Sequence, residues 1–266
     1  MMFREIEPRD RSLFQELDLL VFPGNPAIIT GFDELLEGKE GYFIFNALDS
    51  PPAGYVLMRK TGETTGHLYR IGVRPNYQGR GFGSKLMALA IDRFGEMGIN
   101  TITLYVEQQN EAAVHLYRKH GFKKAGTAWQ FIAPWKTIGE SKPGYECNQV
   151  LLEHVDKLVK LFNLEKITLT SFVEQPTQFP LMLQREENGE IVGFCRFTPA
   201  FPGCFPFILT DARLFDTLAR GVQKYSLPDY DYCRFTFDDN DELAALMAGR
   251  GYKMHHALYK MIKTGD

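Results

Sequence analysis

The sequence lacks the marks of several large classes of protein. No apolar run is long enough to span a bilayer, and six of the first eleven residues are charged, so we expect neither a membrane anchor nor a signal peptide. The net charge of -3 is small for 266 residues and gives no general case for binding nucleic acid or an anionic membrane. We therefore expect a cytoplasmic protein whose partners include neither nucleic acid nor a membrane.

Cysteine is scarce, and its spacing does not favour metal or disulfide chemistry. The four residues, Cys147, Cys195, Cys204 and Cys233, all lie in the second half, and no two of them form a C-x-x-C pair. We expect reduced cysteines in a core or at a domain boundary, and no metal site. With 44% hydrophobic and 24% charged residues, the chain has the composition of a globular protein of one large or two small domains.

The most informative stretch of the chain runs from His67 to Phe122. It opens with an apolar, β-branched strand that Pro75 ends, because a prolyl nitrogen cannot donate to a strand ladder. Three glycines follow at alternate positions, and an apolar stripe at three- and four-residue spacing then predicts a helix that Gly98 ends. A strand, a glycine loop and a helix N-terminus together form an anion site, since backbone amides point inward and the helix dipole adds positive potential.

The spacing of the glycines narrows the identity of the anion. They stand at 79, 81 and 83, whereas a dinucleotide-binding fold requires G-x-G-x-x-G. The loop of phosphate-binding NTPases ends in G-K-[ST], but here Lys85 is followed by Leu86. A nucleotide-binding module is therefore disfavoured.

A second pattern follows the next predicted strand, Thr101 to Val106. Asn110 is a good helix N-cap, and Gly121 ends the helix that it starts. The residues on one face of this helix are Ala113, Leu116 and Tyr117.

These two patterns resemble the two signatures of the GNAT N-acetyltransferase superfamily. The residues from Gln78 to Gly83 resemble its pyrophosphate-binding sequence Q/R-x-x-G-x-G/A, and those from Asn110 to Phe122 resemble N-x-x-A-x-x-L-Y-x-x-x-G-F. The resemblance implies an α/β (α+β) GNAT fold, with a central mixed, mostly antiparallel sheet that contains a splayed parallel strand pair and is flanked by helices. It also implies an acyltransferase that uses acetyl-CoA as co-substrate and acetylates a primary amine by direct attack in a ternary complex.

The resemblance implies a role for each matching residue. The acyl carbonyl and the pantetheine would be held by the backbone amides of Ile71, Gly72 and Val73. The pyrophosphate would lie on the amides of the glycine loop, which comprises Gln78, Gly79, Arg80, Gly81, Phe82, Gly83 and Ser84. Asn110 would touch the coenzyme arm, although helix capping alone also explains it. Tyr117 matches the tyrosine that protonates the leaving thiolate; the alternative is a packed core aromatic.

The general base is the least specified part of the implied site. His67 stands eleven residues before Gln78, where some members of the superfamily place a base glutamate, and an imidazole can accept the ammonium proton. Tyr69 and Glu107 are competing candidates on the two splayed strands, and a chain of water molecules or a merely structural histidine remain open. A non-catalytic acyl-CoA sensor is the alternative function, although it would not need Tyr117.

The second half of the chain carries a fainter copy of this arrangement. Asn240 to Gly251 repeats the eleven-residue spacing of Asn110 to Gly121, but Met247 replaces the tyrosine. Thr210 and Asp211 lead straight into a helix, with no glycine loop between strand and helix, and an acid at a helix start competes with a phosphate for the same amides. We therefore predict that this half binds no coenzyme.

We predict a catalytic GNAT domain at residues 1–138 and a degenerate GNAT-like domain at 145–266, joined by a linker within Lys136 to Gly144. The alternative for the second half is an unrelated α/β appendage. Three roles are open to it: burying one side of the first domain, shaping the acceptor site, or forming the contact of a homodimer. In the first domain we also expect a short helix from Phe32 to Leu36. The acceptor could be a small amine, a peptide N-terminus, a lysine or an antibiotic.

Overall fold

The computed structural model describes residues 1–23, 36, 40–47 and 50–265. The chain forms two compact units, Met1–Ala125 together with Met261–Asp266, and Gly126–Lys260. The helix expected from Phe32 to Leu36 lies outside the described residues, apart from Leu36 itself. In the part of the chain that is described, no helix is long and apolar enough to cross a membrane.

The first unit is built on a mixed sheet flanked by helices. Its strands are β1 (Met2–Glu5), β2 (Glu40–Phe45), β3 (Gly54–Lys60), β4 (Thr65–Val73) and β5 (Thr101–Glu107), and its helices are α1 (Arg11–Val21), α2 (Phe82–Glu96) and α3 (Glu111–Lys119). Strands β1 to β4 pair in chain order and antiparallel, whereas β5 pairs with β4 in parallel. The end of strand β12 (Lys253–Thr264) lies next to β5.

The parallel pair β4–β5 is splayed. Its register covers three residue pairs, from Thr65 opposite Thr101 to His67 opposite Thr103, and both strands continue beyond them. A β-bulge interrupts the pairing of β4 with β3 in the same region, which bends β4. The prediction of a mostly antiparallel sheet with a splayed parallel pair is confirmed.

Helix α2 packs its apolar stripe against this sheet. Its fully buried side chains are Phe82, Leu86, Met87, Ala90 and Phe94. Gly66 of β4 lies against this stripe, since a Cβ there would come within 2.4 Å of the Phe94 ring. At the start of α2, a Cβ on Gly83 would lie 3.9 Å from Val73, so the helix begins beside the end of β4.

The second unit repeats this mixed architecture. Its strands are β6 (Lys123–Pro134), β7 (Tyr145–Gln149), β8 (Phe179–Arg185), β9 (Ile191–Thr198), β10 (Gly203–Leu209), β11 (Tyr232–Asp238) and the start of β12, and its helices are α4 (Val155–Phe162), α5 (Lys166–Glu174), α6 (Phe215–Gln223) and α7 (Asp241–Gly249). The strand order is β12-β6-β11-β10-β9-β8-β7. Strands β10 and β11 pair in parallel, and the other pairs from β6 to β7 are antiparallel. The core between this sheet and α6 is aromatic, with Phe207, Phe215 and Phe235 fully buried.

The segment predicted to contain the linker, Lys136 to Gly144, is held by α6 of the second unit. Gly139 N donates to Asp216 Oδ1 at 2.9 Å, and the Arg220 guanidinium donates to the carbonyl oxygens of Gly139 and Ile138. These bonds make the segment part of the second unit. The division of the chain into a catalytic and a degenerate domain stays a prediction.

Candidate functional site

The glycine loop, Gln78 to Ser84, joins the end of β4 to the start of α2. Gly79 and Gly81 have φ angles of 70° and 84°, in the left-handed region that residues with a side chain rarely adopt. A Cβ at either position would meet nothing within 4 Å, so the backbone angle, and not crowding, requires glycine. Gly83 differs, because a Cβ there would lie 3.3 Å from Leu116 of α3. Two glycines therefore shape the loop, and the third admits a neighbouring helix.

The backbone amides at the start of α2 form a positive helix end. Lys85 N donates to Gly81 O at 3.1 Å, so the amides of Phe82, Gly83 and Ser84 precede the bonding pattern of the helix itself. Such amides, together with the helix dipole, favour an anion.

Contacts of three side chains hold the loop in place. Gln78 Nε2 donates to Val73 O at 3.0 Å, which ties the loop to the end of β4. Phe82 is buried, and its ring centroid lies 5.1 Å from that of Tyr77, in the 3-10 turn before the loop. Arg80 is exposed and lies over the same Tyr77 ring, 5.1 Å from its centroid. The loop is thus anchored at both ends with a cation at its surface.

Alternate residues of β4 direct their amides to opposite sides of the strand. Arg74 N donates to Ala53 O on the β3 side, so the amide of Gly72 also faces β3. The amides of Ile71 and Val73 then face the open side of the splayed pair. Of the three residues expected to hold the acyl carbonyl and pantetheine, these two have amides on that side.

Helix α3 carries Asn110 and Tyr117. Asn110 Oδ1 accepts a hydrogen bond from Ala113 N at 3.1 Å, the geometry of an N-cap. Tyr117 is 6% exposed, and burial raises the pKa of its phenol above the usual value of about 10. Phe122 N donates to Tyr117 O at 3.0 Å and closes the helix end. The Tyr117 phenol is therefore protonated at neutral pH.

A contact that the sequence patterns did not indicate joins α3 to the glycine loop. His120, which follows the last residue of α3, lies with Nε2 2.8 Å from Ser84 Oγ at the start of α2. Thirty-six residues separate the two in the chain. The close approach of Leu116 to Gly83 brings the helices together at this point, and no local spacing rule would have found it.

His67 lies where β4 and β5 part. Its Nδ1 is 2.8 Å from Thr103 Oγ1 on β5, and Thr103 Oγ1 donates to Gly66 O at 3.2 Å. The ring centroids of Tyr69 and Tyr105 lie 4.9 and 5.6 Å from that of His67. Sequence reasoning found His67 and Tyr69 but not Thr103.

A buried ion pair joins α1 to the strand that carries His67. Asp18 is 1% exposed and accepts a hydrogen bond from Arg70 Nε at 2.6 Å and another from the Tyr55 hydroxyl. The Arg70 guanidinium also lies 4.0 Å from the centroid of the Phe22 ring. This network fixes α1 beside the bulge of β4 and was not indicated by the sequence patterns.

The second unit has a different structure where the glycine loop would be. Asp211 Oδ1 accepts from Arg213 N at 2.9 Å, and the Arg213 guanidinium donates to the same carboxylate at 2.8 Å. The adjoining cleft, of about 620 Å³, is lined by Thr210, Asp211, Ala212, Arg213, Glu242 and Leu246. The anion at this helix start is thus the protein's own carboxylate.

The following helix of the second unit nevertheless matches α3. Asn240 Oδ1 accepts from Leu243 N at 2.9 Å, and Tyr252 N donates to Met247 O at 3.1 Å, as the cap and closing bond of α3 do. Met247 is fully buried at the position of the tyrosine. In the residues described for both units, no group of three or more His, Cys, Asp or Glu side chains is arranged to hold a metal.

The sequence from residue 7 to 122 matches the model of the Acetyltransferase (GNAT) family. This stretch is similar to GNAT acetyltransferases. Mycothiol acetyltransferase from Cellulomonas flavigena is 41% identical to the chain over 73 residues, which is 27% of this chain and 21% of that protein. The chain thus matches about a fifth of the length of that relative.

Solved structures extend the likeness beyond residues 7–122. The structure of a Pyrococcus horikoshii protein superposes with a TM-score of 0.74 at 16% sequence identity, and the alignment covers 100% of this chain and 89% of the other. The structure of a tandem GNAT protein from the clavulanic acid biosynthesis pathway superposes with a TM-score of 0.69 at 14% sequence identity, and the alignment covers 99% of this chain and 98% of the other. At these identities the likeness shows the fold, and it confirms the predicted tandem of GNAT-like halves.

Proposed function

We propose that the protein is an N-acetyltransferase that transfers the acetyl group of acetyl-CoA to a primary amine by direct attack in a ternary complex. GNAT enzymes use acetyl-CoA, and the single observation that carries the proposal is the glycine loop at the end of a splayed strand. Gly79 and Gly81 hold the left-handed backbone of this loop in front of the exposed amides of α2. The amides from Gly79 to Ser84 bind the coenzyme pyrophosphate.

The reacting carbonyl lies in the opening between β4 and β5. The amides of Ile71 and Val73 face this opening and are its hydrogen-bond donors to the acyl carbonyl and pantetheine. Gly72 contributes through its size, since a Cβ there would lie 2.9 Å from Val21 and 3.0 Å from Tyr55. Asn110 caps α3 and so positions this helix beside the coenzyme arm.

Tyr117 stabilises the leaving thiolate. The buried phenol stays protonated, so it can donate a hydrogen bond to the sulfur as the C–S bond breaks. A thiol has a pKa of about 8.5, below that of a buried phenol, so complete proton transfer is uphill and strong hydrogen bonding is the larger contribution.

His67 receives the proton that the attacking amine loses. Thr103 has one hydroxyl proton and uses it in the hydrogen bond that it donates to Gly66 O. Its Oγ1 therefore accepts a hydrogen bond from His67 Nδ1–H. The neutral imidazole then has Nε2 as its proton-accepting nitrogen. His67 and Ile71 are four residues apart, about 13 Å of strand, so water carries the proton between them. Tyr69 and Glu107 are the alternatives on the same two strands.

The second unit supplies structure and no coenzyme site. Asp211 occupies the amide of Arg213, and its charge repels a pyrophosphate. Its role is one of the three predicted from the sequence.

The test of the proposed function is a search for acetylated products. The purified protein is incubated with acetyl-CoA and a panel of primary amines or a metabolite extract, and the products are identified by mass spectrometry. We expect an acetylated amine whose formation needs both the protein and acetyl-CoA. If the protein binds acetyl-CoA tightly but yields no acetylated product from the panel or the extract, that result would contradict the proposed enzymatic function and favour the non-catalytic acyl-CoA sensor.

A further inference from the structure

One ionisable side chain contacts the glycine loop without being part of it. His120 Nε2 lies 2.8 Å from Ser84 Oγ, and Ser84 is the third residue of α2, where the helix still has amides to offer an anion. The imidazole is half-buried.

The charges that act on His120 are cationic. Lys119 precedes it on α3, and Lys263 comes from β12, where its Nζ would lie 3.0 Å from a Cβ on Gly121. Burial lowers the pKa of the His120 imidazole, and these two ammonium groups lower it further. The imidazole is therefore largely neutral at neutral pH while no anion is bound.

The chemistry of Ser84 sets the direction of the hydrogen bond when a phosphate is present. A serine hydroxyl has one proton, and it can give that proton to a phosphate oxygen only if it accepts its other bond. The Ser84 oxygen then accepts its second hydrogen bond from the N–H at His120 Nε2. An imidazolium donates more strongly than a neutral ring and adds positive charge beside the anion.

We propose that His120 is a proton-linked binding residue for the coenzyme diphosphate: it takes up a proton as the anion binds and thereby strengthens the hold of the glycine loop. This inference rests on the proposed coenzyme site. Because the bound anion favours the imidazolium, the pKa of His120 is higher in the complex than in the free protein. The added affinity is complete below the pKa of the free protein and is lost as the pH rises through the pKa of the complex.

The experiment is calorimetric titration with acetyl-CoA at about pH 6.5, in two buffers of different ionisation enthalpy, which gives the protons taken up per coenzyme bound. His120→Gln keeps a neutral N–H donor but cannot titrate. The control is His115→Gln, which removes an exposed histidine from α3, the helix that His120 directly follows. The coenzyme's own phosphate monoester titrates near pH 6 in every sample, so the difference between variants isolates His120.

We expect the wild type and His115→Gln to take up more protons than His120→Gln. We also expect His120→Gln to lose about fivefold in affinity near pH 6 and little near pH 8.5, since couplings of this kind are typically at least that large. His120→Ala, which also lacks the donor, should bind more weakly at both pH values. In a cycle with Ser84→Ala, the effect of His120→Gln should shrink, because the shared contact is already gone.

The outcomes separate this inference from the function beneath it. Binding with equal proton uptake in the wild type and His120→Gln would overturn the role of His120 and leave the coenzyme site intact. Failure of the folded wild type to bind acetyl-CoA would overturn the proposed function, and this inference with it.

Discussion

His67 and Thr103 face each other across the last parallel pair of β4 and β5, with Nδ1 of His67 2.8 Å from Thr103 Oγ1. The Thr103 hydroxyl donates its hydrogen bond to Gly66 O, so towards the imidazole its oxygen can only accept one. Thr103 is therefore a positioning residue for the base that we propose, since it sets the tautomer and the angle of the ring.

Thr103→Val should lower kcat by about tenfold, because the isosteric valine cannot hold the imidazole, while a general base as a whole contributes about a hundredfold or more. The KM for acetyl-CoA should stay unchanged, and the acid limb of the kcat–pH profile should shift. Thr101→Val, two residues earlier on β5, is the matched control and should behave as the wild type. A Thr103→Val profile identical to that of the wild type would remove Thr103 from this role.

Gly81→Val should weaken acetyl-CoA binding by tenfold or more. Its φ of 84° is strained for any side chain and most of all for a β-branched one, so the loop must change shape. Gly95→Val is the matched control, since a Cβ there also meets nothing within 4 Å but no left-handed backbone is required. Isothermal titration of the two variants measures the difference; equal affinities would place the pyrophosphate elsewhere.

Tyr117→Phe should lower kcat by about a hundredfold with little change in coenzyme affinity. The ring keeps its buried packing, and only the hydroxyl that we propose donates to the leaving sulfur is lost. Tyr69→Phe, on the exposed strand surface, should change kcat much less if His67 is the base. Steady-state kinetics with binding measured separately gives both numbers; an unchanged kcat in Tyr117→Phe would assign thiolate protonation to water.

One molecule of acetyl-CoA should bind per chain. The helix start of the second unit is occupied by Asp211 and Arg213, and Met247 cannot donate a hydrogen bond to a thiolate. Equilibrium dialysis or calorimetry at saturation measures the ratio. Saturation at two per chain would show a working site near Thr210.

Local signals explain what the sequence made predictable. Gly79 and Gly81 indicate a left-handed backbone angle, and Asn110 and Asn240 indicate helix N-caps. Each of these features involves only a few neighbouring residues, so the sequence predicts it. These signals located the loop, both Asn-capped helices and the resemblance to the GNAT family. The capping role of Asp211 was predictable for the same reason, because Arg213, whose amide it accepts from, is only two residues away.

The remaining features depend on residues that are distant in the chain. Ser84 and His120 are 36 residues apart, and Asp18 and Arg70 are 52 apart. Each pair meets only because a sheet and its helices bring the two side chains together, so no periodicity or spacing rule could indicate it. The packing of Lys136 to Gly144 against α6 is missed for a related reason, since its glycines and proline read as a connection.

The last strand has a consequence for how the protein is made. The first compact unit includes Met261–Asp266, and the end of β12 lies beside β5. Gly265 N donates to Asn100 O, although the two residues are 165 positions apart in the chain. A ribosome must therefore translate the whole second unit before the first can complete its sheet, and such distant pairing slows folding because the long loop must close first. A fragment that stops at residue 138 would leave β5 without this neighbour, and an unpaired strand edge favours aggregation.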